Sequence, residues 1–218
     1  DVTIHQVIQH GHAGHAACEL ALEMDADLIV VGAKGHSTLD RMLLGSTSDF
    51  VATQAHCSVL VVRPTGIDPS CDGRLGITIG FDGSQRATDA VDQYCAFQWG
   101  PNTEVNIVNV VQPVRTIKQE AMPASASGTE RRLQEAHECM QEISPKIQDS
   151  AAAVQESVIE SKHAGNALCE CATQNKSDLI IIGDTGRSEL GKLFLGSVTN
   201  YVLRHSDCSV MICRHRET

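Results

Sequence analysis

Gly183, Gly186, Gly196 and Ser197 are spaced Gly-x2-Gly-x9-Gly-Ser, directly after the apolar run 179–182 (Leu-Ile-Ile-Ile). A continuous aliphatic run of this length reads as a buried parallel strand. Glycines at its end let backbone approach a ligand closely. Gly196-Ser197 opens a helical pattern (Tyr201, Val202, Leu203), so free N–H groups and a hydroxyl face one spot. That chemistry suits an anion, phosphate above all. The same spacing occurs at Gly32, Gly35, Gly45 and Ser46, after the run 28–31 (Leu-Ile-Val-Val). Two matches in one register carry far more weight than one.

The two loops belong to an internal duplication. Residues 1–63 align without a gap on 152–214, with roughly two dozen identities. His12-Ala13-Gly14 matches His163-Ala164-Gly165, and Cys57-Ser58-Val59 matches Cys208-Ser209-Val210. Each unit reads as an extended segment (2–9 or 153–160), a helix from Ala13 or Ala164, a buried strand, the glycine loop, a helix near Ser46 or Ser197, and a closing strand (59–62 or 210–213). The Pro- and Gly-containing stretch 63–69 reads as a linker. Beyond it come a strand 75–81 ending at Asp82-Gly83-Ser84, a helix carrying Ala87, Ala90, Val91 and Tyr94, and a strand 105–111. Residues 114–128 read as a mobile loop, and an amphipathic helix runs from Thr129 until it meets Pro145. Alternating strands and helices imply a parallel sheet with right-handed crossovers. The second unit then holds five strands and the first only its last three. By the offset, the partner of Asp82 falls before Asp1, so the chain is expected to be a piece of a longer tandem protein.

Composition narrows the classes. The 218 residues are 42% hydrophobic but only 3% aromatic, so the core is aliphatic. A net charge of -10 argues against non-specific binding to nucleic acid or an acidic membrane, and no run is long enough to span a bilayer. Nine cysteines without a CxxC pair read as small buried hydrophobes in a reducing cytoplasm. His10, His12 and His15 could ligate a metal, but only His12 is repeated, so they read as loop histidines at a helix start. Asp82 has a plain reading as a turn or N-cap residue. No nucleophile–base pair and no Walker lysine accompany the glycines, so catalysis is not expected.

The duplicated Gly-x2-Gly-x9-Gly-Ser, together with 81–84 (Phe-Asp-Gly-Ser), resembles the universal stress protein family. The resemblance covers 71–214 and the C-terminal part of a preceding repeat. It implies a flavodoxin-like, adenine-nucleotide α-hydrolase-like α/β fold: a parallel five-stranded sheet in order 3-2-1-4-5, flanked by helices. The implied domains are 1–66, the end of a first repeat, and 71–218, a complete second one. In the family's ATP-binding members the nucleotide sits beside the switch point between strands 1 and 4. Carried over, Asp82 meets the ribose, and Val110 or Val111 offers backbone groups to adenine. Gly183, Gly186, Gly196, Ser197, Val198 and Thr199 hold ribose and phosphates. The implied ligand is ATP or AMP, with or without Mg2+. The implied role is a regulatory binding module in stress response. Alternatives are a dimerisation scaffold with a vestigial loop, or less readily a nucleotide-hydrolysing enzyme. The last strands of the two repeats are expected to pair within the chain, with a homodimer as a further assembly.

This sequence departs from the family pattern at three places. Asp184-Thr185 stands where the first repeat has Ala33-Lys34. A carboxylate about 4 Å from phosphate is repulsive by roughly 1 kcal/mol or more, with Arg187 near enough to compensate. On this reading the site prefers AMP to ATP, unless Asp184 ligates a metal. Cys-Ser replaces the family's common Cys-Pro before each last strand. Finally, Gly32, Gly35, Gly45 and Ser46 lack an Asp-bearing strand and so have no complete site.

Overall fold

A computed structural model describes residues 2–34, 44–64, 73–113, 124–186 and 195–215. Gly35 and Arg187 lie outside the described residues. The elements run α1 (Ala13–Glu23), β1 (Leu28–Gly32), α2 (Ser46–Gln54), β2 (Ser58–Val62), β3 (Leu75–Gly80), α3 (Gln85–Ala96) and β4 (Thr103–Val111). There follow α4 (Ala124–Gln148), β5 (Ala153–Glu160), α5 (Ala164–Gln174), β6 (Leu179–Gly183), α6 (Ser197–His205) and β7 (Ser209–Cys213). All the described strands join one sheet in the order β1-β2-β7-β6-β3-β4-β5. The sheet therefore has seven strands, because strands of the first repeat join the five expected of the second. The five from 73–215 stand β5-β4-β3-β6-β7, and β2 and β1 extend them. Every neighbouring pair is parallel except β2 and β7, which run antiparallel with Val59 opposite Ile212 and Val61 opposite Val210.

Alternation along buried strands sorts the core into two clusters, one on each face. Ile180 and Ile182 face α5 and α6 with Leu168, Val202 and Leu203. Leu179 and Ile181 face α3 and α4 with Val91, Tyr94 and Met140. Val59, Val61, Val210 and Ile212 are fully buried where the two repeats meet, so the antiparallel seam is continuous with the core of 73–215.

Three sequence expectations change. Residues 2–9 form no strand and are exposed, Ile8 at 91%. Their counterpart β5 is extended because β4 pairs with it along eight residues, and the described part of the first repeat holds no strand equivalent to β4. Part of the expected loop 114–128 is helix, since α4 starts at Ala124; residues 114–123 lie outside the described residues. Pro145 does not end α4, which continues to Gln148. Pro145 frees the carbonyl of Gln141, an exposed residue that water can satisfy, while buried Ile143 and Ile147 hold the helix on the sheet.

Five of the described cysteines are buried free thiols, and their burial has a pH consequence. Burial pushes Cys169 up to about 11 and Cys208 and Cys213 up to about 12, from an ordinary value of 9.0. Above pH 9 the unfolded chain releases protons that the folded chain keeps, so stability falls as pH rises from 9 towards 12. Each fully titrating thiol contributes up to about 1.4 kcal/mol per pH unit. Urea unfolding at pH 8, 9, 10 and 11 should show this decline, and Cys208→Ala with Cys213→Ala should flatten it. An unchanged slope in the double variant would refute the assignment to these thiols.

Candidate functional site

The C-terminal ends of β3, β4 and β6 open a cleft of about 430 Å³. It lies between β3 and β6, where the chain leaves β3 towards β4 on one side and leaves β6 towards β7 on the other, the switch point of an open parallel sheet. Asp82 enters from the end of β3. Gly83 takes φ +78°, a left-handed turn that glycine accepts without strain. Ser84 N–H donates to Asp82 Oδ1 (3.0 Å), and Ser84 Oγ caps α3 by accepting from Ala87 N–H (3.2 Å). Asp82 thus fills the turn role of its plain reading and also lines the cleft.

The opposite wall is the glycine loop. Asp184 N–H donates to Cys213 C=O (3.0 Å), and Gly196 N–H donates to Asp184 C=O (2.7 Å), which folds the loop back onto the start of α6. A Cβ built on Gly186 would lie 3.0 Å from Asp82 Oδ2, so the carboxylate and the loop backbone face each other across a narrow gap. The first-turn N–H groups of α6 have no partner within the helix, and Ser197 and Val198 bring them to the cleft. Thr199 also lines it, but its hydroxyl donates to Gly183 C=O (2.8 Å) and is buried. That hydroxyl holds the loop, where the resemblance had it holding ligand. Ser48 does the same in the first repeat, donating to Ala33 C=O (3.0 Å).

Val110 and Val111 end β4 and line the third wall. Val108 C=O accepts from Phe81 N–H (2.9 Å). Residues two apart on a strand offer backbone groups to the same side, so those of Val110 face the gap beyond β3, while Val111 C=O accepts from Ser161 on the β5 side (3.1 Å). Val110 is therefore the one of the two whose backbone groups are turned to the β3 side of the cleft.

Asp82, Val110, Val111, Gly183, Gly186, Gly196, Ser197, Val198 and Thr199 thus share one cleft. Gly32, Gly45 and Ser46 sit at the end of β1 and the start of α2, outside it. Sequence reading missed Arg132 on α4, which lines the cleft and donates to Gln112 C=O (3.2 Å). Its signal was present: Arg132 falls four residues before Ala136 and eight before Met140, a cation on the helix's buried stripe.

Asp184 overturns the expected repulsion. It faces away from the cleft into a second cavity of about 370 Å³, shared with Arg86, Arg214, His56 and Cys57. Its Oδ1 lies 3.7 Å from Arg86 Nε and its Oδ2 3.9 Å from Arg214 Nε. Burial holds the Arg214 guanidinium below its usual value, and Asp184 is the largest influence opposing that shift. Thr185 lines the cleft and its hydroxyl donates to Asp184 Oδ1 (3.3 Å), while the Asp184 carboxylate meets the arginines behind it. With Asp184 turned to Arg86 and Arg214, its charge gives no reason for the site to prefer AMP to ATP.

Known proteins agree with this architecture. The Universal stress protein family profile matches residues 1–63 and 76–214. Universal stress protein Slr1101 of Synechocystis sp. is 44% identical over 48 residues, 22% of this chain and 44% of its own length. Universal stress protein MT2699 of Mycobacterium tuberculosis is 27% identical over 213 residues, 98% of this chain and 70% of its own. The chain spans 44% and 55% of the lengths of two Synechocystis relatives. Among solved structures, protein PA1789 of Pseudomonas aeruginosa superposes with a TM-score of 0.68 at 12% identity, over 95% of this chain and 69% of that one. A universal stress protein in complex with cAMP superposes with a TM-score of 0.50 at 23% identity, over 67% of this chain and 100% of that one. With a family match over nearly its whole length, in two segments that follow the internal duplication, this chain belongs to the universal stress protein family.

Proposed function

We propose that the cleft of 73–215 binds an adenine nucleotide, AMP or ATP, and that the protein acts as a nucleotide-responsive regulatory module in stress response. The observation that carries the reading is the approach of Asp82 to Gly186: a strand-end carboxylate facing a glycine loop and a helix N-terminus. The cleft beside this close approach offers a carboxylate to a ribose hydroxyl and helix-start N–H groups to phosphate oxygens. The cleft's volume lies within the range of small-molecule sites. The cAMP complex of a family member supports an adenine nucleotide as the ligand class. Mg2+ would arrive on the phosphates, because Asp184 is engaged elsewhere. Binding rather than catalysis is supported by the cleft's sparse charge: among the described residues, Arg132 is its only side-chain cation. A cytoplasmic setting is supported by the buried free thiols.

Calorimetry on Asp82→Asn and Asp82→Ala tests the site. The loss of a charged hydrogen bond is worth about 1.5–3 kcal/mol, so AMP should bind roughly ten- to hundredfold more weakly. Asp82→Asn keeps an acceptor for Ser84 N–H, so its unfolding midpoint should stay close to wild type. Unchanged AMP affinity in both variants would sink the assignment.

A further inference from the structure

The two repeats clasp each other through equivalent arginines. Arg63, just after β2, donates from Nη2 to Leu203 C=O (2.9 Å), and its N–H donates to Ser209 Oγ (3.1 Å). Arg214, just after β7, donates from Nη2 to Ala52 C=O and from Nη1 to Cys57 C=O (3.3 Å), and its N–H donates to Ser58 Oγ (3.0 Å). The offset that aligns the repeats maps Arg63 onto Arg214 and Ala52 onto Leu203. Yet the clasp is asymmetric at Nε. Arg214 Nε has Asp184 nearby, whereas Arg63 Nε is buried with no hydrogen-bond partner, and the residue equivalent to Asp184 is Ala33. The carboxylate occurs in the repeat that carries the cleft described above.

Asp184 belongs to the loop that forms one wall of that cleft. Arg86, its other partner, is the second residue of the helix that Ser84 caps beside Asp82. The side chain of Asp184 is 14% exposed and that of Arg214 10%, so water screens the pair little and removing Asp184 leaves the buried Arg214 without that carboxylate. We propose that Asp184 is a positioning residue: through Arg214 it braces the 183–186 loop against α2 and β2 of the first repeat, so nucleotide affinity in the cleft depends on the repeat seam. By linkage, a ligand that needs the loop in this shape tightens the seam in return. This reverses the sequence expectation, since removing Asp184 weakens ATP and AMP alike instead of favouring ATP.

The coupling rests on the nucleotide reading above, but the brace can be read without ligand. Amide hydrogen exchange at Gly196, whose N–H is bonded to Asp184 C=O, reports opening of the loop. Asp184→Asn and Arg214→Gln should each speed it roughly tenfold relative to the β4 amides, which report global opening. Arg63→Gln removes the equivalent clasp without touching Asp184 and should leave Gly196 within about twofold. Asp184→Asn, nearly isosteric, carries the test if Arg214→Gln does not fold. Calorimetry with AMP and with ATP on the same variants should show about tenfold weaker binding of both for Asp184→Asn and no change for Arg63→Gln. Equal exchange at Gly196 in Arg63→Gln and Arg214→Gln, or no acceleration in Asp184→Asn, would overturn the brace. Failure of the wild-type chain to bind AMP or ATP would instead overturn the nucleotide reading and the coupling built on it, with the brace still decided by exchange.

Discussion

Gly183→Ala should cost about 1–3 kcal/mol of stability and distort the cleft, whereas Gly32→Ala, the same change in the first repeat, should cost less than about 0.5 kcal/mol. A Cβ on Gly183 would meet the Arg86 carbonyl oxygen at 2.8 Å and its carbon at 3.0 Å. Those atoms are backbone at the start of α3 and cannot swing aside as a side chain would. Relief therefore requires α3 to move, carrying with it the Asp82–Ser84 turn and the Arg86 side of the Asp184 pair. On Gly32 a Cβ would meet only Lys34 C=O at 3.5 Å, an ordinary contact. Urea unfolding of the two variants checks this, with AMP calorimetry on whichever fold. Equal, small losses at both positions would show that α3 does not seal the end of β6 as described.

Val59→Asp should be the most disruptive substitution at the seam, costing more than about 4 kcal/mol. Val59 is fully buried opposite Ile212 in the antiparallel pairing of β2 with β7. A carboxylate there meets aliphatic side chains and must either stay neutral or part the strands. The units then respond differently. Residues 73–215 keep five mutually paired strands, while the first repeat loses the surface on which it rests. Amide exchange should rise across 13–62 while β3, β4 and β6 stay protected. Val62→Asp, at the half-exposed end of the same strand, should be mild. Uniform loss of protection in Val59→Asp would contradict a seam that can part by itself.

Much of this was legible in the sequence because its signals are local. The run at 179–182 is aliphatic at every position, and only a strand covered on both faces needs that. The duplicated glycines announce one loop twice, and each loop folds back through equivalent hydrogen bonds, Gly45 to Ala33 and Gly196 to Asp184. What stayed hidden depends on partners far along the chain. Residues 2–9 repeat Val7 and Ile8 of the β5 pattern, yet β5 is a strand because β4 lies beside it. Asp184 looked like a charge beside phosphate because its neighbours Gly183 and Gly186 do line the cleft. Its true partners, Arg86 and Arg214, are brought near by α3 and by the end of β7, which no spacing rule connects. Pro145 looked like a stop because a missing N–H is local, while the burial of Ile147 that outweighs it is tertiary.

On the proposed function, one cleft, in 73–215, takes an adenine nucleotide. Titrating isotope-labelled protein with AMP while following its backbone amide signals tests this most directly. Gly186, Gly196, Ser197, Val198 and Val110 should shift together along one saturating curve, while Gly32, Gly45 and Ser46 hold still. Amides of the cleft that stay unmoved by millimolar AMP, ATP and cAMP, or shifts of equal size at Gly45 and Ser46, would contradict it.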